Sequence, residues 1–145
     1  MKGLEELPKR SPAIAQDRDI LMVSRATPNS PFKASLLVTK DPVIATSSLY
    51  ILRTKDQTVI SEYLNYYINS DTFQKEVLAR ARGSTISHIG RSKLEEIEIF
   101  IPSLEKQKIL VDLYQNLERQ KNILSRKQTL QQEIIQQTFI NIQQT

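Results

Sequence analysis

The C-terminal part of the chain carries an amphipathic pattern too long for a small compact domain. From Leu104 to about Gln137, apolar residues recur at intervals of three and four, as they do along one face of an α-helix. These residues are Leu110, Leu113, Leu117, Leu124 and Ile134, with Ile123 and Leu130 close to the stripe. About 34 residues at 1.5 Å each span roughly 50 Å. The pattern therefore predicts a helix that extends beyond the domain preceding it.

Two interpretations of this helix stay open. Gln120 and Lys127 interrupt the stripe where a strict heptad has leucine, so the coiled-coil signal is weaker than that of a zipper. The helix could fold back on its own domain, or it could pair with a second copy. We expect pairing as a coiled coil, because an isolated helix with an uncovered apolar stripe is marginal in water. The pairing residues would be Leu110, Leu113, Leu117, Leu124, Leu130 and Ile134, and the direction of pairing is left open.

The segment before the helix predicts a strand and a sharp boundary. Ile97, Ile99 and Ile101 alternate with Glu96, Glu98 and Phe100, which is typical of a strand with one apolar face. Pro102 keeps the residue before it extended, and Ser103 and Glu105 suit an N-cap and a first helical turn. We expect a strand from Glu95 to Ile101 and a helix that starts within two residues of Leu104.

The preceding residues predict a small sheet and two short helices. Apolar runs at 19–26, 34–39 and 43–54 are separated by proline-containing turns, and their core positions are Ile20, Met22, Leu36, Val38, Val43, Leu49 and Ile51. Two helices should lie between Ile60 and Arg82, with a break near Asp71, which together with Gln74 resembles a capping box. Their buried faces would be Tyr63, Leu64, Tyr67, Ile68, Phe73, Val77 and Leu78. Gly83 should end the helical pattern with a positive φ.

These patterns together predict an α+β fold. A small mixed or antiparallel sheet with packed helices would be followed by one long C-terminal helix. The expected organisation is a polar arm of low order at 1–18, a compact domain at 19–102 and the long helix at 103–145.

Positive charge is concentrated around Gly83. Between Lys75 and Lys93 there are five Lys or Arg residues and one acid, in a chain of formal net charge +4. The same stretch is rich in hydroxyl groups and has little to bury. It is either a solvated basic face or a surface for a polyanion.

The residues around this stretch resemble the specificity subunit of type I restriction-modification systems. Gly83, Ser84 and Thr85 match its loop, Ile101 and Pro102 match the end of its last strand, and Leu104, Glu105, Gln107 and Ile109 match its helix start. The segments 19–25 and 60–70 resemble a strand and a helix of its target-recognition domain. The family usually has two such domains and two spacer helices, whereas this chain has room for one of each, as a half-subunit would.

The resemblance implies a non-catalytic protein that reads duplex DNA and positions methyltransferase and restriction subunits. The residues expected at DNA are Arg25, Asn29, Ser30, Lys33, Arg80, Arg82, Ser84, Thr85, Ser87, His88, Arg91 and Lys93. The arginines and lysines at 80–93 would contact phosphates, and the remaining residues would contact bases. Arg25 could instead be a surface residue at a strand end, and His88 a polar residue at a sheet edge. A homodimer through the long helix would read a symmetric bipartite site.

Enzyme chemistry has no support in the residues. No Asp or Glu is followed two positions later by Lys, and the three glycines form no nucleotide-binding turn. With one histidine and no cysteine, neither a metal site nor a cofactor is expected. The N-terminus lacks a signal-peptide pattern and no apolar run is long enough for a membrane helix, so we expect a cytoplasmic protein. The alternative function is a coiled-coil scaffold or subunit-interaction protein without DNA binding.

Overall fold

Three small antiparallel sheets and four helices make up residues 13–144, which are the residues that the computed structural model describes. The strands are β1 (Ala13–Ala15), β2 (Ile20–Val23), β3 (Arg25–Ala26), β4 (Ala34–Leu36), β5 (Val43–Ala45), β6 (Leu49–Leu52) and β7 (Ser87–His88). The helices are α1 (Ser61–Ile68), α2 (Asp71–Arg80), α3 (Arg91–Glu95) and α4 (Leu104–Gln143). The predicted α+β class is confirmed. The chain divides into two compact units, one ending at Ile109 and one beginning at Leu110.

The central sheet has the strand order β4-β2-β6. Ile20 pairs with Leu36 and Leu52 across the two ladders, and Met22 pairs with Ala34 and Tyr50. Ile20 and Met22 are buried while their neighbours on β2 are half-buried, as the two-residue period of a strand requires. The core continues through Phe32, Leu52, Leu64, Ile68, Phe73, Val77, Ile89, Leu94 and Ile97.

The two predicted helices are confirmed, and so is the break between them. Ser70, rather than Asp71, is the N-cap of α2, because its hydroxyl accepts a hydrogen bond from the Phe73 amide. The Asn69 side chain, at the end of α1, accepts from the Ala34 amide at 3.0 Å and donates to its carbonyl at 2.9 Å. It therefore ties α1 to the free edge of β4.

A buried ion pair holds the start of β2. Asp19, which is 1% exposed, accepts hydrogen bonds from the Nε and Nη2 atoms of Arg53, both at 2.7 Å. It also accepts from the Gln16 amide at 2.8 Å. Arg18, which lies between Gln16 and Asp19 in the chain, adopts a φ of 70° and pairs with Glu62. The pKa of the Glu62 carboxyl lies below its usual value: burial raises it, but the hydrogen bond from Arg18, the hydrogen bond from its own backbone amide and the charge of Arg18 together outweigh that effect.

The first turns of α4, up to Ile109, belong to the first unit and are held there by one buried side chain. Gln107 is 0% exposed. Its Oε1 accepts from the Ile60 amide at 2.8 Å, and its Nε2 donates to the carbonyls of Thr58 and Pro102 at 2.8 and 2.9 Å. The Gln107 amide thus uses both of its donor positions and one of its two acceptor positions.

Several predictions at the level of single elements were wrong. The strand expected from Glu95 to Ile101 is absent: α3 ends at Glu95, and no ladder includes the residues up to Ile101 in the described chain. Leu94 and Ile97 are buried there instead, while Phe100 is exposed. Val38, Val43 and Leu78, expected in the core, are exposed.

The N-terminal boundary and the long helix also differ from expectation. Ala13–Ala15 forms a strand paired with β5, so the expected polar arm of low order is wrong for these residues, and residues 1–12 lie outside the described part. The helix begins at Leu104 as predicted and continues to Gln143, six residues beyond the predicted end. In the second unit, the stripe residues Leu110, Leu113, Leu117, Leu124, Leu130 and Ile134 are all exposed. No helix within residues 13–144 has the length and apolar character needed to cross a membrane.

Candidate nucleic-acid interface

The two segments that carry most of the predicted DNA-contacting residues lie side by side. Strand β3 pairs with β7, which places Arg25 opposite His88 and Ala26 opposite Ser87. His88 also forms a bridge with Arg82 on its other side, with backbone hydrogen bonds of 2.8 and 2.9 Å. Residues directly opposite in a ladder present their side chains on the same face. Arg25, His88 and Arg82 therefore form a row across three extended segments, which we call the basic row.

Each segment makes a tight, exposed turn beside this row. Thr27 and Ser30 exchange backbone hydrogen bonds at 2.9 and 3.0 Å around Pro28 and Asn29, which defines the first turn. The second turn is the 83–87 loop, closed by the backbone pair of Arg82 and His88. Asn29, Ser30, Ser84, Thr85 and His88 are exposed on these turns.

Gly83 makes the 83–87 loop possible. Its φ is 116°, which L side chains rarely adopt, and a Cβ there would lie 2.1 Å from the Ile86 carbonyl oxygen. The predicted positive φ is confirmed. Gly83 does not itself end the helix, because α2 already ends at Arg80, and the glycine lies in the loop that follows.

The 83–87 loop is held to the core through Ile89. The Ile89 side chain is fully buried, its amide donates to the Ser24 carbonyl at 3.1 Å, and its carbonyl accepts from the Tyr50 hydroxyl at 2.8 Å. Burial raises the pKa of Tyr50, the positive charge of Arg91 lowers it and the negative charge of Glu95 raises it, with burial the largest effect. The neutral, donating form of the hydroxyl is therefore favoured in the fold.

A groove of about 410 Å³ separates the first turn from the 83–87 loop. Helix α2 forms its floor with Asp71, Gln74, Lys75 and Leu78, which follow the i, i+3, i+4, i+7 spacing of one helical face. Gln74 also donates to the Phe32 carbonyl at 2.8 Å, which fixes the first segment against the helix. The other lining residues are Ala26, Thr27, Pro28, Pro31, Phe32, Ser84 and Ser87.

The predicted cationic residues differ in how much of their charge is already compensated. Arg80 pairs with Glu76, Arg91 with Glu95 at 2.7 Å, and Lys93 with Glu96 at 2.8 Å. Within residues 13–144, Arg25, Lys33 and Arg82 take part in no ion pair, and all three are exposed. The uncompensated charge thus lies on the basic row and at Lys33.

The structure brings together one subset of the predicted DNA-contacting residues. Arg25, His88 and Arg82 adjoin the two turns that carry Asn29, Ser30, Ser84, Thr85 and Ser87. Arg91 and Lys93 are on α3, a helix that the sequence did not predict. Leu78 and Ile86 were not predicted at this surface, and Lys75 was counted in the basic stretch without being named as a contact. The helical spacing of Asp71, Gln74, Lys75 and Leu78 was a signal for the two α2 residues.

A family model for the type I restriction modification DNA specificity domain matches residues 12–136. The chain belongs to this family. The match includes the basic row, both turns, Gln107 and most of α4, and it confirms the predicted resemblance. A search of curated proteins found no match.

Membership of the specificity-domain family assigns the chain to a non-catalytic class of protein. Within residues 13–144, no three His, Cys, Asp or Glu side chains converge on a point that could hold a metal ion. The surface offers hydrogen-bonding groups and positive charge, which are the means by which proteins hold phosphates and read base edges.

Proposed function

We propose that this specificity domain is a DNA sequence-recognition half-subunit of a type I restriction-modification system. It binds duplex DNA through the basic row and the two turns beside it, and it positions methyltransferase and restriction subunits supplied by other chains. The observation that carries the proposal is the pairing of β3 with β7 in a chain that matches the specificity-domain family over residues 12–136.

The division of labour follows from charge and exposure. Arg25, Arg82 and Lys33 have uncompensated charge and supply phosphate contacts, with Arg80, Arg91 and Lys93 contributing once their carboxylate partners are displaced. Asn29, Ser30, Ser84, Thr85, Ser87 and His88 offer the donors and acceptors that base edges require. Arg25, at one end of the basic row and beside the first turn, is also suited to a guanine.

The test is the salt dependence of binding to random-sequence duplex DNA, measured by fluorescence anisotropy on the full chain. Removing two phosphate contacts with Arg25→Ala and Arg82→Ala should reduce the slope of log K against log salt by about 2. The matched control is Lys40→Ala with Lys55→Ala, which removes the same charge. Lys40 follows β4 and Lys55 follows β6, and the last residues of these strands, Leu36 and Leu52, both pair with Ile20. Ile20 is at the end of β2 that is farther from Arg25. Equal slopes for the two double variants would contradict the proposed surface.

The second part of the proposal is that α4 pairs with a second copy of the chain. The stripe residues from Leu110 to Ile134 are exposed along a helix of 40 residues, and such a stripe is expected to find a partner. In a two-fold dimer, each substitution changes both helices of the interface, so its effect on the free energy of dimerisation is doubled. Leu117→Asp should therefore weaken dimerisation by about 4 kcal/mol, close to a thousandfold.

Light scattering across a concentration series measures this effect on the full chain. Asn122→Asp introduces the same charge on the opposite side of the helix and should leave the dimer intact. A wild-type monomer at high concentration would refute self-pairing. A dimer without salt-dependent DNA affinity would favour the alternative function, a scaffold or subunit-interaction protein that uses the exposed stripe alone.

A further inference from the structure

Ile86 is a large apolar side chain in an otherwise polar and basic loop. It is 57% exposed and lies between Thr85 and Ser87, in the loop closed by Arg82 and His88. A single exposed isoleucine is ordinary on a protein surface. This one belongs to a loop of the surface proposed to face DNA, and both of its neighbours in the chain, Thr85 and Ser87, carry hydrogen-bonding groups.

The loop holds the backbone of Ile86 in a defined position. The carbonyl of Ile86 lies over Gly83, where a Cβ would be 2.1 Å away. The Ser87 hydroxyl donates to the Gly83 carbonyl at 3.3 Å, and the next residues join the β3 ladder. The side chain is thus presented outward from a loop attached to the core at both ends.

An apolar group on such a loop has one sequence-dependent partner on duplex DNA. The C5-methyl group of thymine is the apolar feature of the major groove, and cytosine and uracil lack it. Exposed Leu78 lines the groove between the first turn and the 83–87 loop and adds apolar surface there.

We propose that Ile86 is a specificity-determining residue that contacts the C5-methyl group of a thymine in the recognised sequence. The inference rests on the proposed function, because it requires that the 83–87 loop enters the major groove. It assigns base discrimination to an apolar contact in addition to the hydrogen bonds of the neighbouring polar residues.

The test uses uracil in place of thymine. Full-length protein is first used to select sites from a library of randomised duplexes, and each thymine of the selected site is then replaced singly by uracil, which preserves base pairing. We expect about fourfold weaker binding at one thymine, the factor for burying one methyl group. Ile86→Ala should bind the thymine and uracil duplexes equally, whereas Ile86→Val should keep most of the discrimination.

Two controls make the outcomes distinct. Ile44→Ala removes another exposed isoleucine, which is 73% exposed against 57% for Ile86, from β5 in a different sheet, and should leave discrimination unchanged. If no uracil substitution weakens wild-type binding, or if Ile86→Ala discriminates as wild type does, the inference about Ile86 is overturned while DNA recognition stands. If the wild-type chain selects no duplex and shows no salt-dependent affinity, the proposed function itself fails.

Discussion

Gln107 should be among the positions outside the apolar core where substitution destabilises the fold most. Its amide is fully buried and joins three backbone groups from two segments: the Ile60 amide and the Thr58 carbonyl from one, and the Pro102 carbonyl from the other. Leucine has similar volume and cannot make any of these hydrogen bonds. At about 1 kcal/mol for each lost bond, Gln107→Leu should reduce the free energy of unfolding by about 3 kcal/mol. For a unit of this size, the melting temperature would fall by about 12 °C.

The assay should follow the first unit rather than the long helix. Four of the five tyrosines precede residue 109, so near-ultraviolet circular dichroism of tyrosine reports mainly on that unit. The matched control is Gln136→Leu, an exposed glutamine on α4, which should change the melting temperature little. If both variants melt within about 2 °C of wild type, the three hydrogen bonds do not stabilise the fold as argued.

A glutamate at the same position separates hydrogen bonding from packing. Gln107→Glu keeps an acceptor for the Ile60 amide, but its second oxygen would face the carbonyl oxygens of Thr58 and Pro102. The ionised side chain is disfavoured there, so the folded state should raise the pKa of the introduced carboxyl above its unfolded value. Stability should then be higher at about pH 5 than at about pH 8, relative to wild type. If Gln107→Glu and wild type differ in free energy of unfolding by the same amount at both pH values, this geometry is contradicted.

Three further predictions concern other parts of the first unit. Asp19→Ala should lower the free energy of unfolding in urea by about 3 kcal/mol, because it removes the buried carboxylate that accepts two hydrogen bonds from Arg53 and one from Gln16, and a loss below about 1 kcal/mol would refute this. Gly83→Ala should cost about 1 to 3 kcal/mol, because of its positive φ and the carbonyl 2.1 Å from the new Cβ. Gly90→Ala is its control, since a Cβ at that glycine meets nothing within 4 Å. Burial raises the pKa of both Tyr50 and Tyr63, so the stabilisation by their neutral hydroxyls is complete below the unfolded tyrosine value of about 10 and is lost as pH rises through the folded values. Ultraviolet absorbance should show two tyrosines ionising late, with unfolding, and early ionisation of all five would contradict this.

Local patterns in the sequence were sufficient for much of the fold. The start of α4 at Leu104, the break between α1 and α2, and the positive φ of Gly83 each depend on a few adjacent residues. Proline, glycine and capping residues restrict the backbone directly, so these predictions needed no tertiary information.

The wrong predictions share a different physical cause. The alternation from Ile97 to Ile101 was taken as a strand, but a strand also needs a neighbouring edge to pair with, and the period of side chains does not specify one. Ile97 reaches the core by following α3 instead. Val38 and Val43 satisfied the same apolar pattern, yet both are exposed. Val38 lies beyond the end of β4, and Val43 is the first residue of β5, which belongs to a separate two-stranded sheet.

The composition of the candidate interface was predictable, whereas its geometry was not. Charge counting identified the stretch from Lys75 to Lys93, and the predicted surface included both turns. The pairing of Arg25 with His88 joins residues 63 positions apart, and no local pattern specifies such a contact. The ion pairs of Arg91 with Glu95 and of Lys93 with Glu96 were missed for a related reason, since they depend on α3, a helix that was not predicted.

At this surface, the residues that stabilise the loop differ from the residues that are proposed to contact DNA. The backbone of the 83–87 loop is anchored by Ile89, which is buried and bonded to Ser24 and Tyr50, whereas the side chains at 84–86 are exposed. Substitutions at these exposed positions remove no core contact, and they should change the free energy of unfolding by less than about 0.5 kcal/mol. If the proposed function is correct, the DNA sequence preference can therefore change through residues 84–86 while Gly83 and Ile89 preserve the loop. A substitution at Ser84 or Thr85 that destabilised the domain as strongly as one at Ile89 would contradict this separation.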